Sequence, residues 1–173
     1  MSELKKMCES FSLNQPQTHL QSGNVIFLSN KRELPKLASR LEDVIEKKFG
    51  FRPAVILRTA SEMRSVVARN PFTGRNDVHP SKFLVTFFAS PLPPEKAEAL
   101  AQITGFPEEL YLDGRELYVH FCNGVGPSKM RGVLDRILKN TGTARNWNTV
   151  TKLLEIAEAM DKNKDRTGAA RAR

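Results

Sequence analysis

Cysteine is scarce in this chain of 173 residues: Cys8 and Cys122 are the only two. They lie far apart, neither belongs to a C-x-x-C pair, and no histidine stands at a recognisable metal-ligand spacing from either. Those facts argue against a disulfide framework and a zinc motif. The expectation is two small buried thiols and neither metal nor other cofactor. Histidine is also sparse, with His19, His79 and His120 scattered along the chain. No apolar run approaches the roughly 18 residues that a membrane span needs. Residues 1–13 carry Lys5 and Lys6 inside an amphipathic pattern with no apolar stretch behind them, which is not the form of a secretory signal. Together these absences lead to the expectation of a cytoplasmic protein without membrane partners.

What is present suits a folded core. Hydrophobic residues make up 40% of the chain and charged residues 27%, within the range of a soluble domain, or of two small ones sharing a core. The net charge is +8, which favours acidic partners, nucleic acid among them. Half of that excess sits in residues 162–173, where five Lys and Arg stand against Asp165 alone. The segment has no apolar periodicity and reads as a disordered basic tail.

Along the chain, Leu4, Met7, Cys8 and Phe11 mark an amphipathic helix. Two short strands at 18–21 and 25–28 are expected around a Ser22-Gly23-Asn24 turn or bulge. Leu34, Leu37, Ala38, Leu41, Val44 and Ile45 form a helical stripe that Pro35 opens and Gly50 stops. A β-rich run at 54–58 precedes Thr59-Ala60-Ser61-Glu62, which has capping-box form and opens a further helix. Residues 82–89 are the most apolar strand, expected to be covered on both faces. A proline-rich entry leads to a helix at 95–103. Strands at 110–112 and 115–121 flank Asp113-Gly114, a strong hairpin signal. A helix at 128–139, ended by Gly142, and a last helix from about Thr149 to Met160 complete the order.

This order predicts an α+β fold. Each half approaches the β-α-β-β-α-β arrangement of ferredoxin-like α/β sandwich units packed together, the first lacking its opening strand and the second its closing one. The expected boundaries are 1–69 for the first unit with a linking helix, 70–161 for the second, and 162–173 for the tail.

Two motifs carry a resemblance. His19-Leu20-Gln21-Ser22-Gly23-Asn24-Val25-Ile26-Phe27 resembles a T-Y-[IL]-Q-S-G-N-V-[IV]-F segment, with His19 in place of Tyr. Thr143-Ala144-Arg145-Asn146-Trp147-Asn148-Thr149-Val150 resembles T-x-R-N-W-N-T-V. Both belong to a bacterial domain-of-unknown-function family, number 1697. Weaker agreement covers Asn70-Pro71-Phe72, the strand at 82–89 and the helix at 128–139. The resemblance implies two ferredoxin-like units and no assigned activity. Members of the family begin with a strand and a glycine-rich segment, followed by a helix that Met1-Ser2-Glu3-Leu4 already resembles. The reading is therefore that the opening strand and glycine loop are missing and that the native start lies upstream. Failing that, a rearranged N-terminal segment or a strand from a second chain fills the gap.

Arg145-Asn146-Trp147-Asn148-Thr149 is the strongest functional candidate. Asn148 would cap the last helix, whose N-terminus favours anions; Arg145 would clamp a phosphate or carboxylate, and Trp147 would stack on a base. The competing account is structural and commoner for such residues: caps, core filling and an ion pair. Ser22, Gly23 and Asn24 offer polar contacts, but Ser22 sits in no G-x-S-x-G elbow and has no assignable base, so a plain turn competes strongly. The glycine-rich loop 123–127 leading to Ser128 and Lys129 suits an anion nest, yet it misses the P-loop spacing, and an ordinary connection competes.

The favoured function is a binding module for an anionic ligand: nucleotide, phosphate or nucleic acid. An RNA-recognition domain is disfavoured, because the RNP-1 pattern is absent. An enzyme using Ser22, Arg145 and Lys129 is an alternative that no carboxylate pair, metal set or triad supports. A structural protein, dimerising through an unpaired sheet edge, is the third reading.

Overall fold

The computed structural model describes residues 11, 13–19, 23–30, 33–139 and 141–171, with side chains described up to Asn163. The expected first helix and Ser22 lie outside the described residues. The fold is α+β with two separate antiparallel sheets. It divides into two compact units, one of Met1–Glu33 with Thr151–Arg173, the other of Leu34–Val150.

In the first unit, β1 (Asn14–His19) pairs with β2 (Asn24–Leu28). β1 starts earlier than its sequence suggests. Gln15 adopts φ 52° and Pro16 follows it, so pairing with β2 overrides poor strand propensity, and the register shifts between Asn14 and Gln17. Gly23 turns the hairpin at φ 74°, a conformation that costs glycine little.

The second unit opens with α1 (Leu34–Phe49), which buries Leu37 and Leu41. Gly50, at φ 76°, closes the helix by donating its N–H to the Glu46 carbonyl at 2.8 Å. Residues 54–58 form no strand. The Val55 N–H is taken by Glu42 Oε1 at 2.9 Å, and Arg58 is drawn into a buried ion pair with Glu116 at 2.9 Å. A β-rich segment stays irregular where no neighbouring strand completes its ladder. α2 (Ala60–Ala68) carries the expected capping box in both directions, between Thr59 and Glu62.

Then come β3 (Phe83–Phe88), α3 (Pro94–Ala101), β4 (Glu109–Asp113), β5 (Glu116–His120), α4 (Met130–Leu138) and β6 (Gly142–Asn146). The sheet order is β4-β5-β3-β6, all antiparallel, which is the complete ferredoxin-like arrangement. The second half therefore does have a closing strand, contrary to expectation. β6 is a short polar edge strand, and edges tolerate such composition. Gly142 lies inside that strand rather than ending a helix. A Cβ there would stand 2.8 Å from the Phe87 carbonyl and from the Phe88 ring, so pairing with β3 demands glycine. α4 instead ends on Lys139 in the left-handed region. Among the described residues the first half supplies β1, β2 and α1 but no further strand.

Side chains alternate across the sheet. Phe88, Leu117 and Val119 meet Leu100 of α3 and Met130, Leu134 and Leu138 of α4 in one core. The opposite face carries Phe83, Val85, Phe87, Tyr118 and His120. There the Tyr118 hydroxyl donates to the Val66 carbonyl at 3.0 Å, and Phe72 meets Phe83 edge-on at 5.2 Å. These contacts, with Arg58–Glu116 and Arg115–Glu62, tie 54–68 to the second sheet. That is why no division falls near residue 69.

α5 (Trp147–Arg171) completes the chain. Its backbone runs well past Met160, so the segment expected to be irregular is helical as far as Arg171. Among the described residues no helix is long and apolar enough to cross a membrane.

Candidate functional site

The strand registers gather several chemistry-bearing residues at one end of the four-stranded sheet. Phe83 opposes His120, His120 opposes Glu109, and Leu84 opposes Asn146. The β6–α5 junction and the ends of β4 and β5 therefore share that end.

Arg145 opposes Val85, on the face away from α3 and α4. Its Nη1 donates to the Thr143 hydroxyl and to the Ala144 carbonyl, at 2.8 Å for the latter. Burial lowers the pKa of this guanidinium, a cation partly stripped of water. Trp147 stacks on Phe83, with ring centroids 4.7 Å apart and planes inclined by 23°. The indole is half-buried, neither a core residue nor a free platform.

The expected cap moves by two residues. Asn146 Oδ1, not Asn148, accepts the Thr149 N–H at 2.9 Å and the Thr149 hydroxyl at 3.0 Å. β6 feeds directly into α5, so the first helical residue is Trp147, and Asn148 is an exposed residue of the first turn. Thr149 is buried at 7% exposure. The cap thus serves one N–H that an anion was expected to meet.

The other candidates separate. Ser128, expected to cap an anion nest, gives its hydroxyl to the Glu108 carboxylate, and an acid at that place opposes anion binding. Lys129 is exposed at the start of α4 and provides no side-chain cap. Gly23 and Asn24 belong to the first compact unit, whereas Lys129 and Arg145–Thr149 belong to the second. Asn24 is buried and donates from Nδ2 to the His19 carbonyl at 3.3 Å, the turn role that competed with binding.

A second constellation escaped the sequence reading. His120 Nδ1 stands 3.2 Å from Glu109 Oε1 and 3.8 Å from Cys122 Sγ, and the three donor groups lie within 4.8 Å of one another. The judgement that no histidine accompanies either cysteine at ligand distance is thereby corrected. The signal was legible: the hairpin loop is Gly114-Arg115, with Asp113 opposite Glu116, and counting outward puts Glu109 opposite His120. His120 and Cys122, two apart on extended chain, then fall on one side. Arg75 holds Glu109 by two bonds, at 2.6 and 2.8 Å, and also binds Asp77. The Arg75 hydrogen bonds hold both carboxyls below their ordinary values. A Cys–His–acid relay does not fit, because thiol and carboxylate approach the same imidazole nitrogen.

The family model "Protein of unknown function (DUF1697)" matches residues 1–118. The chain belongs to this family. The matched span includes the Ser22-Gly23-Asn24 motif and stops short of the Arg145–Thr149 motif. DUF1697 membership assigns no activity. By structure the chain is similar to "conserved bacterial protein SP0830 from Streptococcus pneumoniae", with a TM-score of 0.68 and 17% identity over 91% of this chain and 88% of that chain. At that identity the likeness shows the fold alone. No curated protein matches the sequence.

Proposed function

We propose that this DUF1697 protein is a cytoplasmic binding module for an anionic ligand, with Arg145 and Trp147 carrying the site. The observation behind this reading is the half-buried Arg145 guanidinium, bonded to the Thr143 hydroxyl and the Ala144 carbonyl of its own strand, beside an indole braced on Phe83. A partly desolvated guanidinium binds phosphate or carboxylate more strongly than a solvated one. A braced indole lends a flat surface to a base at little entropic cost. The first turn of α5 adds its positive dipole end, although Asn146 already serves Thr149. A nucleoside phosphate matches both groups at once. The thiol of Cys122, free of any disulfide, suits a reducing compartment.

Trp147 is the only tryptophan in the chain, so its emission reports on this site alone. Titration with a nucleoside monophosphate and with inorganic phosphate tests the reading. A saturable change that Arg145→Ala weakens supports it, and a flat titration refutes it.

A further inference from the structure

We propose that Glu109, His120 and Cys122 bind a single transition-metal ion of the Zn²⁺ class. Thiolate, imidazole and carboxylate are the donors that Zn²⁺ takes, and a thiolate disfavours the hard ions Mg²⁺ and Ca²⁺. The backbone brings them together: Glu109 and His120 are directly opposed in the ladder, and Cys122 follows two residues on. Their donor atoms lie within 4.8 Å of one another, close enough to share one ion after small side-chain adjustments. Three protein ligands leave one tetrahedral position open for water or another ligand.

The surroundings suit an ion. His120 is 2% exposed, and its Nε2 meets no hydrogen-bond partner among the described residues. Nδ1 is therefore the nitrogen that engages polar partners, and it points at Glu109 and Cys122. Arg75 grips Glu109 and is itself held by Asp77, an outer shell that fixes the carboxylate. With the thiol ionised, Cys122, Glu109 and Asp77 stand against Arg75 and against Lys82, whose ammonium donates to the Cys122 carbonyl at 3.1 Å, and the remaining negative charge favours a cation. Glu109 and Cys122 are half-exposed, so an ion can enter. The Cys122 thiol now donates to the Pro107 carbonyl at 2.9 Å. On binding, the S–H bond breaks, its proton passes to solvent, and the sulfur electron pair forms the bond to the metal; the Nδ1–H that faces the Glu109 carboxylate likewise gives up its proton, the ring takes one up at Nε2, and the freed Nδ1 lone pair binds the ion.

The test is to titrate the full chain with Co²⁺, a coloured stand-in for Zn²⁺, and follow absorbance. The expected result is one equivalent bound, with a thiolate-to-cobalt charge-transfer band that Zn²⁺ displaces. Cys8→Ser should retain the band, whereas Cys122→Ser should abolish it. Glu109→Gln should keep the band and weaken binding by at least about 10-fold, since even outer-shell losses cost that much. These two substitutions lie at half-exposed positions and spare the buried His120, so folding does not confound them. No saturable band, a band that follows Cys8, or Glu109→Gln binding as tightly as the native chain would overturn the proposal.

Discussion

Trp147 lies nearly flat on Phe83, with ring centroids 4.7 Å apart. The contact joins the first residue of α5 to the first residue of β3, so it anchors the helix start to the sheet as well as presenting the indole. Trp147→Ala should cost about 2 kcal/mol, less than the ~3–5 of a fully buried ring because part of the indole is already in contact with water. Arg145→Ala removes hydrogen bonds to the Thr143 hydroxyl and the Ala144 carbonyl, together with a desolvated charge. It should cost about 1 kcal/mol or less. Denaturant titration of both variants checks the order, and reversed losses would place the stabilising contact at Arg145.

The Arg58–Glu116 pair carries a larger share of stability. Each side chain is 5% exposed, and Arg58 also donates to the Phe88 carbonyl at 2.7 Å. Arg58→Ala should cost about 3 kcal/mol, because it leaves a buried carboxylate with the guanidinium of Arg69, 3.6 Å away, as its remaining charged partner. Arg52→Ala, which removes exposed ion pairs with Glu42, Asp43 and Glu46, should lower the melting temperature far less than Arg58→Ala does. Thermal melts of the two variants separate these outcomes, and a similar small loss in both would show that Glu116 finds another donor.

The contrast between these residues explains what was legible. α1, the Thr59 capping box, β3 and the β4–β5 hairpin announce themselves through local pattern, and local pattern is what a single sequence displays. Residues 54–58 look like a strand yet form none, because a ladder needs a partner and propensity does not supply one. β6 looks like a loop because Gly142 and three polar residues suit an edge, and only β3 pairing makes them a strand. Of the candidate site, the sequence pattern puts the helix start at about Thr149 with Asn148 as its cap, whereas the helix begins at Trp147 and Asn146 serves Thr149, because β6 runs straight into α5. The Glu109–His120–Cys122 cluster is non-local by 13 residues, and only hairpin register reveals it.

Acid should reveal the role of Arg75. Its hydrogen bonds lower the pKa of Asp77 and of Glu109 below their ordinary values of 3.8 and 4.5. A carboxyl depressed in the folded state contributes stability above its unfolded value and loses it as pH falls through the folded one. Stability should therefore hold down to about pH 4.5 and fall below 3.8. Arg75→Ala should shift acid unfolding to higher pH, as followed by circular dichroism. An unchanged midpoint would mean that the network contributes nothing in solution.

The basic segment invites a separate measurement. We expect weak, sequence-blind nucleic-acid binding in which residues 162–173 neutralise phosphates and set a steep salt dependence. Truncation before residue 162 should flatten that slope in a gel-shift series. A truncated chain that binds equally well at the same salt would move the basic surface onto the folded part.

The most direct test of the binding reading is the emission of Trp147 during titration with a nucleoside monophosphate at low salt, in the native chain and in Arg145→Lys and Arg145→Ala. The account predicts a saturable change in the native chain that added salt weakens. Lysine, which keeps the charge and loses the two-pronged geometry, should bind less tightly, and alanine should be weaker by at least about 10-fold. A native titration without change, or one that Arg145→Ala reproduces at the same concentrations, would contradict it.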